Sequence, residues 1–478
     1  MSPKIKANLF RLALLPLTVA LVAAAGCSSG VNSATQSGGP VFVVGTDAPA
    51  SIPDIVGVPV QLTGIYLTNT STSTTSLNLL SGTPTVDFAR YNGLQGFIDM
   101  NDVQPGTYTG VTIDLGTASI NYLNMSNTPP TVSSETATLQ NTSVNVTFVN
   151  PLTVSQTGGV PVGLRIDMDL GQSILTSGGV PTGTINPTFD VRAVARTDTG
   201  AHIDEFVGAV TTPPSSATAT SFVITGPHGA SFTINLSSTT EWDGGATESQ
   251  LLADGTNAIV EVAGQFDPAD QTLDADEIAI LTDTGFTAGG LVTYVTPATG
   301  VATAMQFYVD HVLPSNNSNV QLGNVANVSI TGNEIYSIYW MHNAFTNLLF
   351  NDAALTPGQR IRVGGADPTA SPFDVKRVHL QNRGYNGTVV AGSENAGQLT
   401  FKMNVTGFAG VVISSPITVY LGADCDFRYG FDAFSDITDN AKLRVVGILL
   451  KNQNTGQVVL VARHIDGLDL TDTAVTSQ

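Results

Sequence analysis

Val260-Glu261-Val262-Ala263-Gly264 is a short strand pattern that stops on a glycine, and the chain repeats it twice, at Ile361-Arg362-Val363-Gly364-Gly365 and Leu443-Arg444-Val445-Val446-Gly447. Working outward, each copy is preceded by a turn: Leu252-Ala253-Asp254-Gly255, Leu355-Thr356-Pro357-Gly358 and Ile437-Thr438-Asp439-Asn440. Asn440 stands where the others have Gly, and Asn is the non-glycine residue that best tolerates the left-handed region. Further upstream lie aromatic strands, Phe222-Val223-Ile224, Phe307-Tyr308-Val309 and Phe401-Lys402-Met403. Each copy opens on Gly-x-Val, at Gly208, Gly290 and Gly387, and closes on a strand around Ile278, Val378 or Ile465. Five short strands per copy, with glycines where strands coil sharply, predict small OB-like β-barrels over 203–283, 287–382 and 384–470.

Residues 41–199 predict a different unit. Val56, Val58, Val60 and Leu62 alternate with Gly57, Pro59, Gln61 and Thr63, and after Gly64 the apolar parity changes to Ile65 and Leu67. A parity switch at a glycine marks a β-bulge. Pro105 and Gly106 predict a type II turn. Val111, Ile113 and Leu115 then share one face. Phe189, Val191, Ala193 and Ala195 are assigned to one face opposite Asp190, Arg192 and Arg196. Half-buried antiparallel strands of this kind predict a β-sandwich, prealbumin- or Ig-like, so the fold class is all-β.

The N-terminus supplies an address. Lys4, Lys6 and Arg11 precede an apolar run from Leu12 to Ala25, interrupted by Pro16. That run is shorter than the roughly 20 residues of a membrane-spanning helix. Ala24-Ala25-Gly26-Cys27 closes it, and the whole reads as a secretory signal, residues 1–26. It resembles the bacterial lipoprotein lipobox. The resemblance implies cleavage before Cys27, a diacylglyceryl thioether on Cys27, and an outer-membrane address, because Ser28 follows rather than Asp. Residues 27–40 carry the lipid and a Gly/Ser-rich tether, SSGVNSATQSGGP, and 471–478 are a polar tail.

Two further resemblances follow from quoted residues. FVVGTDAPA, VGVPVQLTGIYL, the NGL at Asn92 and DVQPGTYTGVTIDL resemble the uncharacterised envelope family called domain of unknown function 4382. The three repeats resemble domain of unknown function 5666. Neither family implies a catalytic residue. Both agree with a cell-envelope setting.

Charge narrows the function classes. Formal net charge is −20, with charged residues only 12% of the chain, about half the usual share. No Lys or Arg occurs between Arg196 and Arg360. Nucleic acid needs a basic track to neutralise its phosphates, so it is excluded as a partner. Membrane contact is expected through the lipid alone. With Cys27 acylated, Cys425 has no disulfide partner and reads as structural.

No nucleophile elbow, zinc helix or phosphate loop is present, and the six histidines are scattered, so no catalytic residue is assigned. Asp267, Asp270, Asp274 and Asp276, with Glu277, are calcium candidates by oxygen count. Asp424, Asp426, Asp432, Asp436 and Asp439 are a looser set. Asp267-Pro268-Ala269-Asp270 also reads as a hairpin tip that needs no metal, and no cofactor is expected. The insertion at 316–350 gathers Tyr336, Tyr339, Trp340 and Phe345. Tyr336, Tyr339 and Trp340 are the candidate ligand platform, for a neutral sugar; the reading of Trp340 and its neighbours as core is preferred to it. These features point to a lipid-anchored bacterial envelope protein of non-catalytic display, binding or scaffolding role, with envelope glycan or protein as partner. The alternative is a carbohydrate-binding or glycan-processing envelope lipoprotein.

Overall fold

A computed structural model describes residues 39–47, 52–69, 74–155, 162–195, 202–226, 229, 231–267, 270, 272–314, 319–338, 348–365, 372–452 and 454–468. The signal segment, Cys27, the tether up to residue 38, Tyr339, Trp340, Phe345 and the tail lie outside these residues. Among the described residues no helix is long and apolar enough to cross a membrane.

The chain is all-β. Its N-terminal unit is a sandwich. One sheet orders Phe189–Ala195, Val162–Met168, Gly39–Thr46 and Gly96–Val103; the other orders Ser143–Val154, Gly106–Asn124 and Pro59–Asn69. Gly39 and Pro40, read as tether, already pair with Val103 and Asp102. The parity switch of Pro59–Asn69 coincides with a register shift between Leu62 and Gly64, so Leu62 and Ile65 both face the core.

Two local expectations are corrected. Gly106 does not take a positive φ, so the turn at Pro105 is not type II. The Tyr108 hydroxyl instead donates to the Gln104 carbonyl at 2.8 Å and closes the turn from the side. Ala193 is exposed and Val194 is buried, against the predicted parity. The reason is tertiary: Val194 joins Phe42 and Val44 in the core of the first barrel, while Val41 and Val43 face the sandwich core. This sheet is covered on both sides, which accounts for the continuous apolar run at Val41 to Val44.

Three barrels follow, and their strand pairings match. In the first, His202–Thr212 pairs with Ser221–Thr225, that with Ser231–Asn235, and that, in parallel, with Thr272–Thr282; Ile259–Asp267 closes the ring. The second repeats this order with Thr287–Thr296, Ala304–Leu313, Val325–Ser329, Phe373–Gln381 and Arg360–Gly365. The third uses Arg383–Val389, Thr400–Val405, Ile417–Arg428, Val458–Gly467 and Lys442–Lys451. Asn440 takes φ +61° in the turn before the fourth strand. At the corresponding place in the first barrel, Leu252 to Asp254 end a short helix, Glu248–Asp254, rather than forming a simple turn. Thr247 caps that helix at one end and Gly255, at φ +62°, stops it at the other.

Rather than standing in a row, all three barrels meet the sandwich. Glu205 of the first bridges to Gly96. Tyr308 of the second donates to Asp87 at 2.8 Å and accepts from Asn121 at 2.8 Å. Asn92 of the NGL motif donates to the Gly384 carbonyl and to Asn386 of the third. Ile448, Leu450, Val459 and Val461 of the third barrel complete the core of the second.

The sandwich–barrel contact has a pH consequence. Asp87 is buried, and burial pushes its carboxyl up to about 6 against the opposing hydrogen bonds from Val58 and Tyr308. A raised carboxyl contributes stability that is full below its unfolded value and is lost as pH rises through 6. Burial raises Asp167 to about 6 as well. Buried neutral histidines such as His379 and His464 act in the opposite direction as pH falls, so the Asp87 contribution is read by difference. From pH 7.5 to pH 5 wild type is expected to gain about 1 kcal/mol relative to Asp87→Asn, whose side chain does not titrate. Calorimetry of both proteins at the two pH values checks this, and an unchanged or smaller difference at pH 5 refutes it.

Candidate functional site

Ile335–Ile338 is a short strand in the long insertion of the second repeat. It lies parallel to Phe373–Gln381, with Tyr336 beside Val378 and Ser337 beside His379. Glu241–Trp242 occupies the same place in the first repeat, with Trp242 beside Ile278. In the third, Phe427 lies beside Ile465. An aromatic residue thus flanks the closing strand of every barrel. Sequence reading missed this because the intervening loops differ in length.

The first two of these edges form opposite walls of a cleft of about 630 Å³ between the first and second barrels. Trp242, Asp243 and Gly244 line one side; Tyr336, Ser337, Ile338, Phe350 and Asn351 line the other. Tyr336 and Phe350 meet edge to face at 5.4 Å. Among the described residues, the Tyr336 hydroxyl and the Asn351 side-chain oxygen have no hydrogen-bond partner. Among the described residues no Lys or Arg lines the cleft.

Ser337 and Asp243 line it, and behind them His379 and Glu277 extend a series of adjoining polar side chains. Ser337 Oγ lies 2.6 Å from His379 Nδ1. His379 Nε2 lies 3.5 Å from Asp243 Oδ2. Asp243 in turn hydrogen-bonds Glu277. The parallel register places Ser337 and His379 on one face of adjacent strands. Asp243 arrives from the turn Asp243–Gly245, where Gly244 takes φ +63°. A Cβ on Gly244 would come within 2.6 Å of Ser337 Cβ, so glycine allows the two barrels to approach. Burial, followed by Arg362, pushes His379 down to about 3, and the imidazole is neutral. Burial, followed by Glu277, pushes Asp243 up to about 11, so this carboxyl pair carries a proton at neutral pH.

Of the sequence candidates, Tyr336 is in this cleft but half-buried, packed on the second barrel core, rather than fully exposed. Tyr339 and Trp340 lie outside the described residues. The acidic candidates are not brought together: Asn235 donates to Asp274 at 2.8 Å, Asp276 faces His202 at 3.3 Å, and Asp267 is buried. Among the described residues no three His, Cys, Asp or Glu side chains form a metal-holding group. Burial, followed by Asp426, pushes the Cys425 thiol up to about 12, which leaves it protonated and unreactive.

The second functional feature is a buried ionic junction. Glu205 pairs with Arg360, with Arg362 at 3.2 Å and with Arg90 at 3.1 Å. Arg362 also pairs with Glu261 at 3.0 Å, and Arg360 with Asp310 at 3.3 Å. Burial alone would raise Glu205, but Arg360, Arg90 and Arg362 outweigh it and hold its carboxyl down to about 2. The cation-free stretch supplies all three carboxylates here, and residues outside it supply every cation. No protein-family model matches the chain, and no curated protein matches it.

Proposed function

We propose that this chain is a bacterial cell-envelope lipoprotein, held to the outer membrane through Cys27, that presents the sandwich and barrels as one body. In this reading the cleft between the first two barrels binds an uncharged, polyhydroxylated ligand of the sugar class. The observation that carries it is the cleft lining: the aromatic rings of Trp242, Tyr336 and Phe350 beside the polar residues Asp243, Ser337 and Asn351. Rings offer apolar faces to sugar C–H groups, and a few polar groups among them offer hydrogen bonds to its hydroxyls. The carboxyl groups of Glu241 and Asp243 and the absence of lining cations disfavour an anionic ligand.

Full-length protein in detergent, screened on a neutral glycan array and followed by calorimetric titration, tests this. Trp242→Ala is expected to weaken binding roughly tenfold, about 1.4 kcal/mol. Affinity should change little between about 50 and 200 mM salt, because no counterions are released. Absence of neutral-glycan binding, or binding indifferent to both Trp242→Ala and Tyr336→Ala, overturns the cleft assignment. A display or scaffolding role without a ligand would then stand on the ionic junction alone.

A further inference from the structure

Ser337 and Asp243 do more than line the cleft. Ser337, His379, Asp243 and Glu277 come from four separate segments, yet they form one chain of adjoining polar atoms that ends at the open side. Its polarity follows the His379 tautomer. Neutral His379 has one ring nitrogen carrying a proton and one that accepts. In the tautomer whose Nδ1 accepts the Ser337 hydroxyl proton, the ring proton is on Nε2, which lies 3.5 Å from Asp243 Oδ2 with no hydrogen bond between the two atoms. Asp243 and Glu277 share the next hydrogen bond. A hydroxyl at a cleft surface, a buried imidazole behind it and a carboxyl group behind that form the constellation of nucleophilic acyl transfer.

We propose that Ser337 is a nucleophile and that the cleft hydrolyses an O-acyl ester borne on the neutral, hydroxylated ligand it binds. This inference rests on the cleft being the ligand site. Ser337 Oγ adds to the ester carbonyl carbon while its proton moves to His379 Nδ1. The carbonyl–oxygen bond to the ligand then breaks, and the released alkoxide takes that proton and leaves as an alcohol. Water repeats the sequence on the acyl-serine: its proton passes to His379 and then to Ser337 Oγ, and a carboxylic acid departs. The Asp243–Glu277 pair faces the imidazolium formed midway and stabilises it. Burial, followed by Arg362, acts against that charge and makes the imidazole a weak base. An ester, whose leaving group needs less proton assistance than an amide, matches a weak base, and turnover is expected to be slow.

The test uses full-length protein in detergent and p-nitrophenyl acetate, with mass spectrometry of the peptide that contains Ser337. Wild type should release nitrophenol at least tenfold faster than Ser337→Ala and show a transient acetyl group on Ser337. Ser337→Cys should restore the adduct on the thiol, while Glu277→Gln should slow release and move its pH profile. Equal release by wild type and Ser337→Ala, with no adduct at position 337, overturns the proposal. If Ser337→Ala still binds the neutral glycan while wild type forms no adduct, hydrolysis fails and the binding reading stands. Loss of glycan binding by wild type itself is the separate failure of that reading.

Discussion

Glu205→Ala is expected to lower the stability of the folded body by about 3–5 kcal/mol, read as a shift of the denaturant midpoint. The side chain is buried, and three guanidinium groups, Arg90, Arg360 and Arg362, converge on its two oxygens. Removing it leaves them in a poorly hydrated space where Asp310 and Glu261 remain as counter-charges. The cost comes chiefly from the stranded cations rather than from the lost attraction. Because Arg90 belongs to the sandwich, Glu205 to the first barrel and Arg360 to the second, the variant should also loosen the contact among them. Proteolysis should then cut between modules that resist it in wild type. Asp276→Ala is the control: its carboxylate is 69% exposed and faces His202, so a change within about 0.5 kcal/mol is expected. Similar midpoints for Glu205→Ala and Asp276→Ala would refute the junction's importance.

Gly447→Ala should cost about 2–4 kcal/mol, although a single methyl group is added. A Cβ there would sit 2.0 Å from the Val461 carbonyl oxygen and 3.1 Å from Ala462 Cα. Both are backbone atoms of the neighbouring strand, so neither can swing away. The ladder itself shifts register between Val446 and Gly447, as a coiled, bulged strand requires. The same shift occurs at Gly264, 2.1 Å from the Asp274 oxygen by the same construction, and at Gly365, 2.5 Å from that of Asp374. Gly456, in a hairpin turn at φ +71°, has nothing within 4 Å of its Cβ position. Gly456→Ala therefore carries only the left-handed backbone cost of roughly 1–2 kcal/mol. Denaturant melts of the two variants separate steric overlap from backbone preference, and equal losses would sink the close-approach argument.

The local features were legible in the sequence. Alternation over Pro59–Asn69 and its break at Gly64, and the left-handed turn at Asn440, each depend on a few neighbouring residues. The fourth-strand glycines were visible as well, but only Gly365 ends its strand; Ile259–Asp267 and Lys442–Lys451 run on through Gly264 and Gly447 as bulges. Backbone sterics and the two-residue period act at that range, so a single sequence is enough. The three copies reinforced one another, which made an all-β chain of a sandwich and barrels readable without a structure.

What only the tertiary structure decided involves side chains that meet across long separations. Val194 is buried because a barrel covers a sheet face that alternation alone leaves to solvent. Glu205, Glu261 and Asp310 read as part of an acidic, cation-free surface, yet they are buried against Arg90, Arg360 and Arg362. Ser337, His379, Asp243 and Glu277 carry no motif, and the scattered histidines gave no hint that one of them abuts a serine and a carboxyl pair. Which isolated polar residues adjoin is fixed by how two barrels dock and by a parallel register between strands that a variable loop separates. Neither leaves a periodic trace in the chain. The repeat pattern therefore determined the barrels, and the packing between them determined the cleft.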